Sequence, residues 1–212
     1  MKITKYVHSC LLVEMPAPIN RTALFDPGIM SESALDVSGL EFLDDIIITH
    51  EHGDHLSLAL IKQLVAKFPD VRITSTTHVT QLLSEHGIEA TDQQSDGIVL
   101  LEAPHENVDP LWPTPESLGV HFLDRLTHPG DSHNFSETKT VLALPVTAPW
   151  GSMVNAFNIA IELNPKYIVP IHDWHWREEA RLQAYQDLTQ AFAKVGITFL
   201  GLEDGHPVVV DV

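Results

Sequence analysis

The segment Thr49-His50-Glu51-His52-Gly53-Asp54-His55 packs three imidazoles and two carboxylates into seven residues. Those side chains are ligands for divalent metals such as zinc, manganese or iron. His50 and His52 are two apart, so in an extended segment they project to the same side and can share one ion. Gly53 permits a sharp turn. Asp54 and His55 then fall where a helix begins, displaced toward a second ion. Four side chains cannot fill two coordination spheres, so other segments must contribute. Sites in α/β layers are built at strand ends. His105 follows the apolar run Ile98–Ala103, Asp131 sits in Pro129-Gly130-Asp131-Ser132, and His172 follows Tyr167–Ile171.

The elements that carry these residues are legible as short apolar runs separated by turn signals. Ile3–Val7, Cys10–Met15, Thr22–Phe25 and Ile46–Thr49 read as strands. Leu56–Phe68 places Ile61, Leu64, Val65 and Phe68 at helical spacing. Val71–Thr76 reads as a strand and Val79–His86 as a short helix stopped by Gly87. Ile98–Ala103, Leu118–Leu123 and Thr140–Val146 are further strands. Ser152 is placed to cap a helix carrying Val154, Phe157 and Ile161. Tyr167–Ile171 is a strand, and Arg177–Val195 a helix with Leu182, Tyr185, Leu188 and Phe192 inward. Ile197–Leu202 and Pro207–Val212 are closing strands. The pattern suits a layered α/β domain. No Pro/Gly/Ser-rich linker divides it, so one domain over residues 1–212 is expected.

His-x-His-x-Asp-His, then His105, then Gly130-Asp131, then Pro170-Ile171-His172 resembles the order of the metallo-β-lactamase superfamily. His8-Ser9-Cys10, Asp26-Pro27, and Leu144-Pro145 followed by Met153 and Ala156 resemble the branch that contains ascorbate-6-phosphate lactonase. The resemblance runs over nearly the whole chain. It implies a four-layer αβ/βα sandwich of two mixed sheets flanked by helices. It implies two divalent ions per chain, zinc or manganese, with iron or nickel as alternatives. His50, His52 and His105 would hold one, Asp54, His55 and His172 the other, and Asp131 would bridge them. Such a pair brings a shared water to a pKa of about 7, and the bridging hydroxide attacks an ester, lactone or phosphodiester. Asp54 has a second, catalytic role open to it, orienting the nucleophile or passing its proton to the leaving group. No Gly-x-Ser-x-Gly motif competes with that mechanism. A nuclease of the same superfamily and a non-catalytic metal-binding protein are the alternatives.

Of the 13 histidines, His8 is placed, with Asp26, either to orient ligands or to serve a turn. His128 and His133 flank Asp131 and compete with it, but a carboxylate bridges two ions where an imidazole binds one. His78, His86 and His206 read as surface residues and His121 as structural. Trp150, Trp174, His175 and Trp176 form either a pocket wall or core. Glu106–Ser117, with Pro110, Trp112, Pro113 and Pro115, is either a lid or an inert excursion. Cys10 reads as a small buried strand residue.

The net charge is -17, from 12 basic and 29 acidic residues. Such a surface repels polyanions, so neither nucleic acid nor an anionic membrane is an expected partner. Two divalent cations would reverse the sign locally, which suits a small, anionic, soluble substrate. No apolar run approaches the ~18 residues that span a bilayer, and the first residues lack a secretory core. A cytoplasmic protein, with homo-oligomers possible, is the expectation.

Overall fold

A computed structural model describes every residue except Pro110 and Glu203. The chain divides into two compact units, Met1–Gln94 with the last strand of the chain, and Ser95–Leu202. Each holds one six-stranded mixed sheet and two α-helices.

In the first unit the strands are β1 (Lys2–Lys5), β2 (Leu11–Met15), β3 (Arg21–Phe25), β4 (Asp45–Ile47) and β5 (Arg72–Thr74). The last strand, β12 (Pro207–Val209), completes the order β12-β1-β2-β3-β4-β5. β2 is antiparallel to both β1 and β3, and β3, β4 and β5 are parallel. β1, β3, β4 and β5 therefore run the same way, and the segments that follow them emerge at one edge of the sheet. Leu12, Leu24, Ile46 and Ile73 pack with α1 (Leu58–Lys67) and α2 (Thr77–Glu85) in one apolar cluster. Ile3, Leu11, Val13, Phe25 and Ile47, on the opposite face, are equally buried. Burial of both faces is why these strands read as continuous apolar runs rather than alternating ones. Ser57 and Thr76 begin the helices by accepting from the amides of Leu60 (3.1 Å) and Val79 (3.2 Å).

In the second unit the strands are β6 (Ile98–Leu101), β7 (Gly119–Phe122), β8 (Leu126–His128), β9 (Val141–Pro145), β10 (Tyr167–Ile171) and β11 (Thr198–Phe199). Their order is β11-β10-β9-β8-β7-β6. Only β7 runs against the others. The segments after β6, β8, β9 and β10 thus share one edge. α3 (Met153–Leu163) and α4 (Glu178–Ala193) pack against β9 and β10 through Leu142, Leu144, Ile168, Tyr185, Leu188 and Phe192.

Three readings of the sequence need correction. β8 was not foreseen as a strand. It is reached through Leu123 and Asp124, both at positive φ (50° and 55°), with the Arg125 amide on the Phe122 carbonyl at 2.9 Å. That is a tight hairpin turn built without glycine or asparagine, so its usual signal is missing. Second, Val154 and Ile161 do not face inward on α3; they are 67% and 41% exposed, whereas Ala156 and Ala160 are fully buried. At 100° per residue Val154 and Ile161 lie on the far side of the helix from Ala156. The small alanines let the backbone approach the sheet closely, and only Phe157 of the expected stripe reaches the core, 4.8 Å from the Phe192 ring. Third, Leu182 of α4 is exposed, about 100° around the helix from the Leu188–Phe192 stripe.

α2 ends beside Gly87 (φ 72°) as anticipated, α3 ends at Asn164 in the left-handed region, and Gly196 (φ 79°) follows α4. No helix is long and apolar enough to cross a membrane among the described residues.

The two faces of α3 make opposite predictions. Ala156→Leu should destabilise the fold by about 1–3 kcal/mol through overpacking. Val154→Ser should stay within about 0.5 kcal/mol. Urea denaturation of the two variants checks both.

Candidate metal centre

In the first unit the segment after β4 carries Thr49 to His55, and it folds around one carboxylate. Asp26, directly after β3, is fully buried at φ 43°. Its Oδ1 accepts from the Thr49 amide (2.7 Å), and its Oδ2 accepts from the Thr49 hydroxyl (2.9 Å) and from His55 Nδ1 (2.7 Å). The Thr49 hydroxyl, having given its proton to Asp26, accepts from His50 Nδ1 at 3.0 Å. Both histidines therefore carry their proton on Nδ1, which makes Nε2 the lone-pair nitrogen. Holding one ring nitrogen so that the other ligates is the usual support for a metal-bound histidine.

His50 Nε2 lies 3.2 Å from His52 Nδ1. Two nitrogens each 2.0–2.1 Å from a tetrahedral ion are separated by about 3.3 Å, so the pair is spaced for one shared cation. His52 to His55 form a turn, with the amides of His55 and Leu56 both on the His52 carbonyl at 2.9 Å. That turn precedes the helix proper, which starts at Leu58 behind the Ser57 cap. His8, in the turn after β1, is buried at φ 64° with Nε2 3.1 Å from Asp54 Oδ2. His55 Nε2 is 3.8 Å from the same oxygen.

The second unit presents Asp131 between two histidines. Asp131 Oδ2 is 2.9 Å from His172 Nε2 and 3.6 Å from His105 Nε2. His105 Nδ1 donates to the Glu106 carbonyl (2.6 Å) and His172 Nδ1 to the Thr147 carbonyl (2.8 Å). A carbonyl only accepts, so each Nδ1 carries a proton, and Nε2 is the nitrogen turned toward Asp131. His172, directly after β10, has φ 63°, and Gly130 before Asp131 has φ 62°.

His128 and His133, the competitors of Asp131, are spoken for. His128 Nδ1 accepts from the Gly130 amide at 3.3 Å and holds the turn. His133 donates Nε2–H to the Pro145 carbonyl (2.8 Å), and its amide donates to Glu106 Oε1 (2.9 Å). Burial holds the His133 imidazole below its ordinary pKa, so it is neutral near pH 7. Trp150 lies 5.4 Å from the His172 ring, 6.3 Å from His105 and 5.2 Å from His133, centroid to centroid. Of the expected cluster it is the tryptophan that stands beside His105, His133 and His172. Trp176 packs on the apolar core and Trp174 is half exposed. In the 106–117 loop Val108 is buried while Leu111 and Trp112 are exposed, and Pro110 lies outside the described residues. His121 bonds Thr127 Oγ1 at 2.9 Å within its own sheet. Cys10 is buried in the turn just before β2 rather than in a strand, and burial pushes its thiol up to about 12, as suits an inert residue.

A model of the beta-lactamase superfamily domain matches residues 2–172. The chain belongs to this superfamily. Protein Rv0786c of Mycobacterium tuberculosis is 29% identical over 201 residues, covering 90% of this chain and 92% of that protein. A UPF0173 metal-dependent hydrolase of Staphylothermus marinus is 25% identical, covering 81% and 83%. A metallo hydrolase of Ignicoccus hospitalis shares the fold, with a TM-score of 0.73 at 19% identity over 100% of this chain and 98% of that one. The α/β metallo-β-lactamase fold expected from the motif order is thus the fold of this beta-lactamase superfamily chain.

Residues that carry no ligand signature also shape the site. Glu106 joins three loop positions at once, through its carbonyl to His105, its amide to the Asp131 carbonyl (2.9 Å) and its carboxylate to the His133 amide. Thr49 and Thr147 act through their oxygens. Gly28 is the residue a sequence reading passes over most easily. A Cβ there would meet the Asp54 carbonyl oxygen at 1.8 Å and the His55 nitrogen at 2.7 Å. The only signal was its place after Asp26-Pro27.

Because those contacts are backbone, nothing flexible yields to a methyl group. Gly28→Ala should displace the Asp54–His55 peptide and weaken metal binding at least about tenfold, the scale of a lost ligand support. Calorimetric titration with zinc checks it; unchanged affinity would mean that the loop after β3 does not set the ligand turn.

Proposed function

We propose that the chain is a metal-dependent hydrolase with two divalent ions, zinc or manganese, that cleaves an ester, lactone or phosphodiester bond of a small anionic molecule. The observation that carries this reading is the engagement of Nδ1 of His50, His55, His105 and His172 by oxygen acceptors. Imidazoles whose Nδ1 proton is held by an acceptor can offer Nε2 to a cation. In this reading His50, His52 and His105 would hold one ion and Asp54, His55 and His172 the other, with Asp131 as a further ligand. The donor set fits borderline or hard divalent ions, and lacks the thiolates that select softer ones.

When bound, the ions supply Lewis acidity and let water ionise near neutral pH. The chain's own part is positioning and proton transfer. The Asp54 carboxylate orients the attacking water and passes its proton to the leaving group. Asp131 balances charge beside His105 and His172. The Trp150 ring shields that side from bulk solvent. The hydrolase description of the Staphylothermus marinus relative supports the reaction type. A diphosphatase of the PhnP family and human tRNase Z share the fold at TM-scores of 0.58 and 0.64, with 18% and 13% identity. The net charge of -17 favours a small substrate over a polynucleotide.

Metal analysis of the purified chain should find close to two ions, and a chelator should abolish turnover until zinc or manganese is restored. His50→Ala and Asp54→Asn should each lower kcat/KM by roughly a hundredfold or more while the chain stays folded. The substrates to try are lactones, phosphodiesters and sugar phosphates, with RNA as the contrast. Turnover that survives both substitutions would sink the mechanism. Cleavage of RNA alone would replace the small-molecule substrate with a nucleic acid.

A further inference from the structure

His8 is absorbed by neither ligand set above, yet it stands among ligands. It is 1% exposed, in the turn between β1 and β2 that is closed by the Tyr6 amide on the Cys10 carbonyl (2.9 Å) and the Cys10 amide on the Val7 carbonyl (3.2 Å). Its Nε2 is 3.1 Å from Asp54 Oδ2, and its ring meets that of His55 edge-on at 5.3 Å. One donor atom each from His8, Asp54 and His55 lies within 4.8 Å of the others. Ligands on one octahedral ion with bonds of about 2.1 Å are at most about 4.2 Å apart, so a small inward adjustment brings all three onto one centre.

The contrast with Asp26 sharpens the assignment. Asp26 grips His55 at Nδ1, behind the ring, whereas His8 reaches the Nε2 side, where the Asp54 oxygen is. A group that only oriented ligands belongs behind them, as Asp26 does. We infer that His8 is a metal ligand, completing a two-histidine, one-carboxylate triad with Asp54 and His55 inside the first unit. Such a triad leaves further positions of the ion for other ligands and suits manganese or ferrous iron as well as zinc. The inference rests on the two-ion reading for its role in turnover but not for its test.

The backbone agrees. A histidine at φ 64° costs of order 1–3 kcal/mol. Glycine would relieve that strain, so the imidazole is held there against the preference of the chain.

Long-range proton–nitrogen NMR of the imidazoles, with and without zinc, decides the question. The expected result is a His8 Nε2 that carries no proton in the zinc form and moves to the metal-bound position when zinc is added. His8→Gly should fold with an unchanged or raised thermal midpoint and lose at least tenfold in affinity for the ion at Asp54. A His8 Nε2 that keeps its proton in the zinc form would overturn the inference and make His8 a donor to Asp54. So would undiminished zinc affinity in His8→Gly. A wild-type chain with a single ion would count against the two-ion reading, while the His8 signal would still show whether that ion is ligated by it.

Discussion

The Asp26 carboxylate is the contact on which the histidine motif of the first unit depends. It accepts three hydrogen bonds, from the Thr49 amide, the Thr49 hydroxyl and His55 Nδ1. A buried carboxylate costs several kcal/mol in lost hydration unless it is hydrogen-bonded, and three donors offset that. The same bonds have a second effect. They turn the Thr49 hydroxyl so that it accepts from His50, and so one carboxylate fixes the tautomer of two histidines on opposite ends of the motif. Without it, either ring nitrogen of His50 and His55 could carry the proton, and only one choice presents the lone pair on the Nε2 side.

The second unit reaches the same end by other means. Its acceptors are main-chain carbonyls, Glu106 for His105 and Thr147 for His172. A carbonyl is fixed by the sheet that precedes it, so here the strand ends orient the rings directly. The cost is that the loops must be held in register. Glu106 does this between the segments after β6 and β8, and His133 does it between the segment after β8 and the end of β9. Trp150 packs its ring beside both His105 and His172, where a loose loop would let water and alternative rotamers in.

How much of this was legible follows from which interactions are local. His50, His52, Asp54 and His55 declare themselves because their spacing along one strand-turn segment is itself the geometry. His105, Asp131 and His172 are visible as polar residues after apolar runs, a signal that sheet direction turns into position. β8 and the buried face of α3 were misread for local reasons. Leu123 and Asp124 occupy a turn that glycine usually marks, and alanines at 156 and 160 carry less apolar weight than the valine and isoleucine that face outward. Gly28, Thr49 and Glu106 were invisible for a different reason. They act through backbone, through one hydroxyl, and through contacts over long separations, and none of these leaves a pattern in residue type.

Four residues of the site, His8, Asp26, Gly130 and His172, lie at positive φ. Only one is glycine. Left-handed backbone after a strand turns the chain back on itself within a residue or two, and so it places a side chain at the sheet edge instead of carrying it away along a loop. Glycine would give the turn without strain but with nothing to ligate or to accept a proton. Histidine and aspartate pay for the same turn with of order 1–3 kcal/mol each. The fold supplies the offset in fully buried strands on both faces of the first sheet and in the clustered aromatic rings of Phe157, Phe192 and Phe199 in the second unit. Strain is thus concentrated where side chains must converge, and apolar packing is concentrated where nothing reactive is needed.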